Sequence, residues 1–136
     1  MGVEIATAVE VRINERWQIW SELENIYTQR SYTIFSILAD TRNQDKKYIP
    51  INNDSRAPDD VSKEGEDWLD EGNNQEGISY VYLEELEAYK WNDAALNEYD
   101  VNEINYFKEF VINKLQVLKQ QLKVSSFDIR LLLHFY

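Results

Sequence analysis

The chain contains no cysteine. That excludes a disulfide framework and every thiolate zinc site. Histidine occurs once, at His134. A metal centre built on several histidines is therefore excluded, and a serine–histidine dyad has a single place to start. Glycine numbers four and never falls into a phosphate-loop spacing, so neither a Walker loop nor a dinucleotide fingerprint is present. No apolar run approaches the length of a membrane span, so no membrane partner is expected. The opening Met1-Gly2-Val3-Glu4 has no basic stretch followed by an apolar core, so no signal peptide is expected. The absence of cysteine fits a reducing, cytoplasmic setting.

Positive charge is also scarce. Fourteen Lys and Arg stand against 25 Asp and Glu, a net charge of −11. The acids are unevenly placed. From Asp54 to Glu76 nine acids face Arg56 and Lys63, and from Glu84 to Glu103 seven face Lys90. From Ile104 onward five basic residues outnumber two acids. Direct nucleic-acid binding needs a basic surface and is not expected. The acid serves either as a solvated, solubilising face or as a mimic of a nucleic-acid backbone on a basic partner.

What is present reads as one domain, residues 1–136. Val3 to Ile13 alternates between apolar and polar residues, the signature of a half-buried strand. Asn14-Glu15 forms a turn and Arg16 to Trp20 returns as a second strand. Ala6 and Ala8 leave room on the second face of the first strand, for a helix or a ligand. Ser31 caps a helix to about Thr41 with Ile34, Phe35 and Leu38 inward. A long polar loop, Asn43 to Pro58, leads to a short helix capped by Asp59 or Asp60. Glu71 to Gly77 is a turn, and Ile78 to Tyr82 a third strand. Leu83 to Tyr89 is a short helix, Asn92 to Tyr99 is ambiguous, and a long helix runs from about Asn102 to Leu122. Its inward stripe is Ile104, Phe107, Val111, Leu115, Leu118 and Leu122. Phe127 to Tyr136 closes the chain as a strand. The expected fold is α+β, a mostly antiparallel sheet of about four strands with helices packed on one face.

The loop Asp54-Ser55-Arg56-Ala57-Pro58-Asp59-Asp60 carries the strongest candidate site. Pro58 restricts Ala57, and a restricted loop can hold the Arg56 guanidinium in place. Arg30 and Arg42 bracket the first helix. Tyr32, Tyr80, Tyr82, Trp17 and Trp20 supply flat faces. Guanidinium forks for phosphates and rings for bases are what a nucleotide pocket needs. The expected ligand-binding set is Arg56, Arg42, Arg30, Tyr32, Ser79, Tyr80 and Tyr82. The bland alternatives are aromatic residues in the core and Arg56 paired with Asp59 or Asp60. No cofactor, resident metal or catalytic residue is expected. The only metal candidate is a carboxylate group at Asp59, Asp60, Glu64, Glu66 and Asp67, whose spacing does not match an EF-hand.

Several segments resemble those of a family of small phage and bacterial proteins. Met1-Gly2-Val3-Glu4-Ile5-Ala6 with Val9-Glu10 resembles its M-G-C-D-I-H-x-x-V-E opening. Arg30 to Asn43 resembles its R-x-Y-x-L-F-x-x-L-A-x-x-R-N segment. Ser55-Arg56-Ala57-Pro58-Asp59-Asp60-Val61-Ser62 resembles its P-R-G-L-P-D-D-V-S loop, one residue shorter here. Ser79 to Leu86 resembles its H-S-W-L-T-L-x-E-L segment, and Phe127 to Phe135 its D-V-R-I-V-F-W-F tail. The family histidines fall here at Ala6 and near Glu76 to Ile78, so proton transfer by them is lost. The resemblance implies a phage or mobile-element origin, hence a host-cell cytoplasm. By analogy of class, it suggests a protein that sequesters cyclic-nucleotide immune signals, of the anti-CBASS or anti-Thoeris type.

The leading expectation is therefore a phage-type binder of a cyclic nucleotide or related nucleotide signal, assembled as a homo-oligomer. The alternative is an acidic inhibitor that mimics nucleic acid and blocks a host defence complex. A phosphodiesterase with carboxylate-bound metal is a third, weaker reading.

Overall fold

The computed structural model describes residues 2–53, 55–70 and 77–136, without the Asp70 side chain. The expected turn at Glu71 to Glu76 lies outside those residues. Four strands form one antiparallel sheet: β1 (Ile5–Ile13), β2 (Arg16–Ile19), β3 (Ile78–Tyr82) and β4 (Ile129–Phe135), in the order β2-β1-β4-β3. This is the α+β architecture expected from the alternating segments. The chain's first and last strands meet at its centre, so the sheet closes only when both are in place. Asn14 and Glu15 both take positive φ, 52° and 66°, in the two-residue turn of the β1–β2 hairpin.

Strand alternation sorts side chains to two faces. Ile5, Val9 and Val11 of β1 share the first face with Ile129, Leu131, Leu133 and Phe135 of β4. On that face lies α1 (Tyr32–Ala39), with Ile34, Phe35 and Leu38 buried and the Phe35 and Phe135 rings edge to face at 5.3 Å. Ser31 caps α1 as expected, its hydroxyl accepting from the Ile34 amide at 3.3 Å. The helix stops at Asp40, whose φ of 57° turns the chain out.

Next come α2 (Lys63–Asp70), α3 (Leu83–Ala88) and α4 (Trp91–Ala94). The long helix begins earlier than its apolar pattern suggests. Asn97 caps it by accepting from the Asp100 amide at 2.9 Å, and α5 runs Glu98–Phe107. A π-helical turn, Lys108–Ile112, carries it into α6 (Asn113–Leu122). Of the expected inward stripe, Ile104, Phe107, Val111, Leu115 and Leu118 are buried and Leu122 is half-buried. Truncating one such core leucine, Leu115→Ala for example, removes about 2–5 kcal/mol.

The start of α2 corrects the sequence reading. Asp59 and Asp60 do not cap it; Ser62 does, its hydroxyl accepting from the Gly65 amide at 2.9 Å. Asp60 is occupied elsewhere, by Arg130 and Trp17. This segment and α2 lie over the second face, where a Cβ on Gly65 would stand 2.6 Å from Glu10 Oε2. A short helical cover thus lies on the second face, across the sheet from α1.

Candidate functional site: a guanidinium and ring ladder under an acidic cover

The register of the sheet creates the site. Glu10 of β1 and Tyr82 of β3 both lie opposite Arg130 of β4, and Arg12 lies opposite Trp17 of β2. All point to the second face. There they stack in alternation. The Arg12 guanidinium lies 5.1 Å from the Trp17 ring centre, and Arg130 lies on Trp17 at 3.8 Å. Arg130 also reaches the Tyr80 ring at 5.2 Å, and Arg56 closes the stack over Tyr80 at 4.2 Å. Each cation–ring contact contributes on the order of 0.5–2 kcal/mol, more where water is excluded.

Every guanidinium in the ladder meets a carboxylate. Arg12 Nε donates to Asp128 at 2.9 Å and Arg56 Nη1 to Glu85 at 3.0 Å. Arg130 Nε donates to Glu10 Oε1 at 2.7 Å, and its Nη1 to Asp60 Oδ1 at 2.7 Å. Arg130 and Glu10 are fully buried, and the second Glu10 oxygen accepts the Ser62 amide at 2.8 Å. Burial alone would strip Arg130 of its proton more easily; Asp60 and Glu10 outweigh it and hold the guanidinium more firmly charged than usual. Burial likewise opposes the Asp60 carboxylate, yet Arg130 and the Trp17 indole, donating at 3.1 Å, hold its pKa below the ordinary range. Tyr82 is pushed up, first by burial and then by Tyr80.

The expected ligand set divides into two neighbourhoods. Arg56, Tyr80 and Tyr82 belong to the ladder, with the Tyr80 and Tyr82 rings edge to face at 5.5 Å. Arg30, Arg42 and Tyr32 gather at the start of α1. Arg42 lies 5.8 Å from the Tyr32 ring centre, Arg30 pairs with Glu4, and the Tyr32 hydroxyl accepts from the Val3 amide. The three arginines therefore do not form one grip. Ser79 is fully buried, and its hydroxyl is spent on the Asn53 carbonyl at 2.7 Å. Strand alternation sends it to the face opposite Tyr80 and Tyr82. Arg56 pairs with Glu85 rather than with Asp59 or Asp60.

The sequence reading missed Arg130, Glu10 and Arg12, and gave Asp60 other partners than Arg130. Arg130 interrupts an apolar strand, which was the available signal. Its partner is 120 positions away and follows only from the register.

A cavity of about 800 Å³ lies between Arg12, Glu15, Lys123 and Asp128; no aromatic ring lines it, nor does Arg30, Arg42 or Arg56. Among the described residues no three His, Asp or Glu side chains converge to hold a metal ion. His134 is buried on β4 with its Nε2 unpartnered among the described residues, and burial lowers its pKa. No helix among the described residues is long and apolar enough to cross a membrane.

These features define a small α+β protein with an arginine ladder paired to its own carboxylates, buried at Arg130, and an acidic outer cover. No protein-family model, curated protein or solved structure matches the chain.

Proposed function

We propose that the chain is an acidic binding protein. It docks the Asp59–Asp60 turn and α2 into a basic groove of a partner, where a nucleic-acid backbone would otherwise lie. The observation that supports this is an asymmetry of pairing. Arg12, Arg56 and Arg130 each face a carboxylate of the same chain. Glu64, Glu66 and Asp67 are exposed, and among the described residues none has an ion pair. Complementary charge steers association and selects basic partners. The ladder fixes the cover, because Asp60 and Ser62 are tied to Arg130 and Glu10. The resemblance to phage proteins suggests a host defence complex as the partner.

The test is displacement of labelled duplex DNA from a histone-like basic DNA-binding protein, followed by anisotropy. Displacement at micromolar chain is expected, falling at least tenfold between 50 and 300 mM salt. Glu64→Lys/Glu66→Lys/Asp67→Lys is expected to abolish it. Asp93→Lys/Glu98→Lys/Glu103→Lys is expected to retain most of it. Absence of displacement at 100 µM, or equal loss in both variants, refutes the assignment.

A second reading is sequestration of a cyclic nucleotide or related signal. It is favoured by one observation: Arg56, partly exposed, lies over Tyr80 at 4.2 Å and within 5.7 Å of Tyr82. A base would stack on these rings and a phosphate would replace Glu85 on Arg56. Arg30, Arg42 and Tyr32 would make a separate anion contact. Calorimetry with cyclic di- and trinucleotides and cyclic ADP-ribose isomers checks it; micromolar binding lost in Arg56→Ala supports it.

A further inference from the structure

A cavity of about 390 Å³ lies between the segment that follows α1 and the ends of α3 and α4. Tyr48 and Ile49 form one wall, Ala88 and Tyr89 a second, Ala94 and Leu96 a third. No residue of the arginine ladder lines it. Ile49 and Leu96 are 80% and 56% exposed. They are the two most exposed large aliphatic side chains among the described residues, and both border this one recess.

The walls are tied to one another. The Tyr89 hydroxyl donates to the Ile49 carbonyl at 2.6 Å, joining the second wall to the first. The buried Asp100 joins the first wall to the third. Its carboxylate accepts from the Tyr48 hydroxyl at 2.9 Å and from the Leu96 amide at 2.9 Å, and Thr33 of α1 donates to it at 2.8 Å. Asn43 holds the Tyr48 backbone twice, donating to its carbonyl at 2.8 Å and accepting from its amide at 3.2 Å. A recess clamped in this way is formed before any ligand arrives, the usual condition of a small-molecule site, and its volume falls at the lower end of such sites. Both phenol protons are committed within the chain, so the two rings offer a ligand mainly apolar surface.

Charge selects the ligand. Lys47 and Lys90 border the cavity against one acid, Asp93. Among the described residues none of the three has an ion pair, whereas the neighbouring Lys46 is paired with Asp40. The recess is therefore positive within a chain of net −11, and Lys90 is the only base between Glu84 and Glu103. Unpaired ammonium groups beside an apolar recess are complementary to an acid group carried on an apolar body. Two tyrosine rings favour a flat ring system over a flexible chain, which would also lose more conformational freedom on binding.

We infer that this recess binds a small aromatic acid. Its ring system lies among Tyr48, Ile49, Tyr89 and Leu96, and its acid group meets Lys47 and Lys90. The site is separate from α2 and from the ladder, so it stands or falls independently of the readings above.

The probe is 2-naphthoate, titrated into the full chain by calorimetry at low salt. A dissociation constant on the order of 10–100 µM is expected for a ligand of this size. Affinity for 2-naphthylmethanol, its uncharged counterpart, is expected to be about tenfold lower. Lys47→Gln/Lys90→Gln is expected to lose a similar factor. Lys114→Gln/Lys123→Gln changes the net charge equally and is expected to bind as the native chain does. Ile49→Asp, at a side chain standing outside the core, is expected to abolish binding while circular dichroism shows the fold retained. No binding at 1 mM 2-naphthoate, equal affinity for the uncharged counterpart, or equal loss in the two lysine variants overturns the inference.

Discussion

The two arginine neighbourhoods contain the same chemistry and have different physical weight. At the start of α1, Arg30 pairs with Glu4 at the surface, where water already solvates both groups. In the ladder, Arg130 and Glu10 have lost that water entirely. Two carboxylates, a backbone amide and two flanking rings replace it. A surface pair can be removed with little consequence. A buried pair cannot lose one member without leaving a charge stranded. The ladder is therefore a structural commitment, and the acidic cover is mounted on it.

The largest expected effect breaks the buried side of this comparison. Arg130→Met strands Glu10 and should lower unfolding free energy by about 3–5 kcal/mol in urea denaturation. Adding Glu10→Leu should recover part of the loss, since the buried charge is gone, leaving the Ser62 amide unpaired and the half-exposed Asp60 without Arg130. Next is Gly65→Val. Its side chain would press on a Glu10 carboxylate that cannot move away, because Arg130 and Ser62 hold it. A cost of about 1–3 kcal/mol is expected by the same measurement.

Arg56→Ala removes one partly exposed ion pair and two ring contacts, with an expected cost below about 2 kcal/mol. Acid should act more weakly still. Asp60 and Asp128 have lowered pKa values in the folded chain, so the unfolded chain binds protons first as pH falls. Their contribution is complete above the unfolded carboxylate value, about 4, and is lost as pH drops through the folded values. Thermal unfolding at pH 6, 4 and 3 should show that decline, and a Asp60→Asn variant should show less of it. At the surface, Arg30→Ala should leave the melting temperature unchanged within error. A large loss there would erase the distinction between the two sites.

The elements themselves were legible. Alternation in Val3 to Ile13 and Phe127 to Tyr136, the Ser31 cap and the Ile104–Leu118 stripe are local signals, and local physics decided them. The start of α2 failed because a side chain had a distant competitor, and the start of the long helix because its polar Asn97 cap precedes the apolar stripe. Asp60 looked like a cap because nothing nearby in sequence wanted it; Arg130, seventy positions on, took it. The site failed for the same reason. Arg30, Arg42 and Arg56 were equivalent as letters, but register decides which ring and which acid each one meets. Ser79 was placed beside Tyr80 by adjacency, whereas in a strand adjacency means opposite faces.

The central claim is that the ladder arginines are already engaged by their own chain. Arginine Nε–Hε resonances in the ¹⁵N-labelled protein report on this directly. The account predicts a slowly exchanging Arg130 Hε, and an Arg56 signal that does not move when cyclic dinucleotide is added to millimolar concentration. A saturating, micromolar shift of Arg56, or rapid exchange at Arg130, would contradict it.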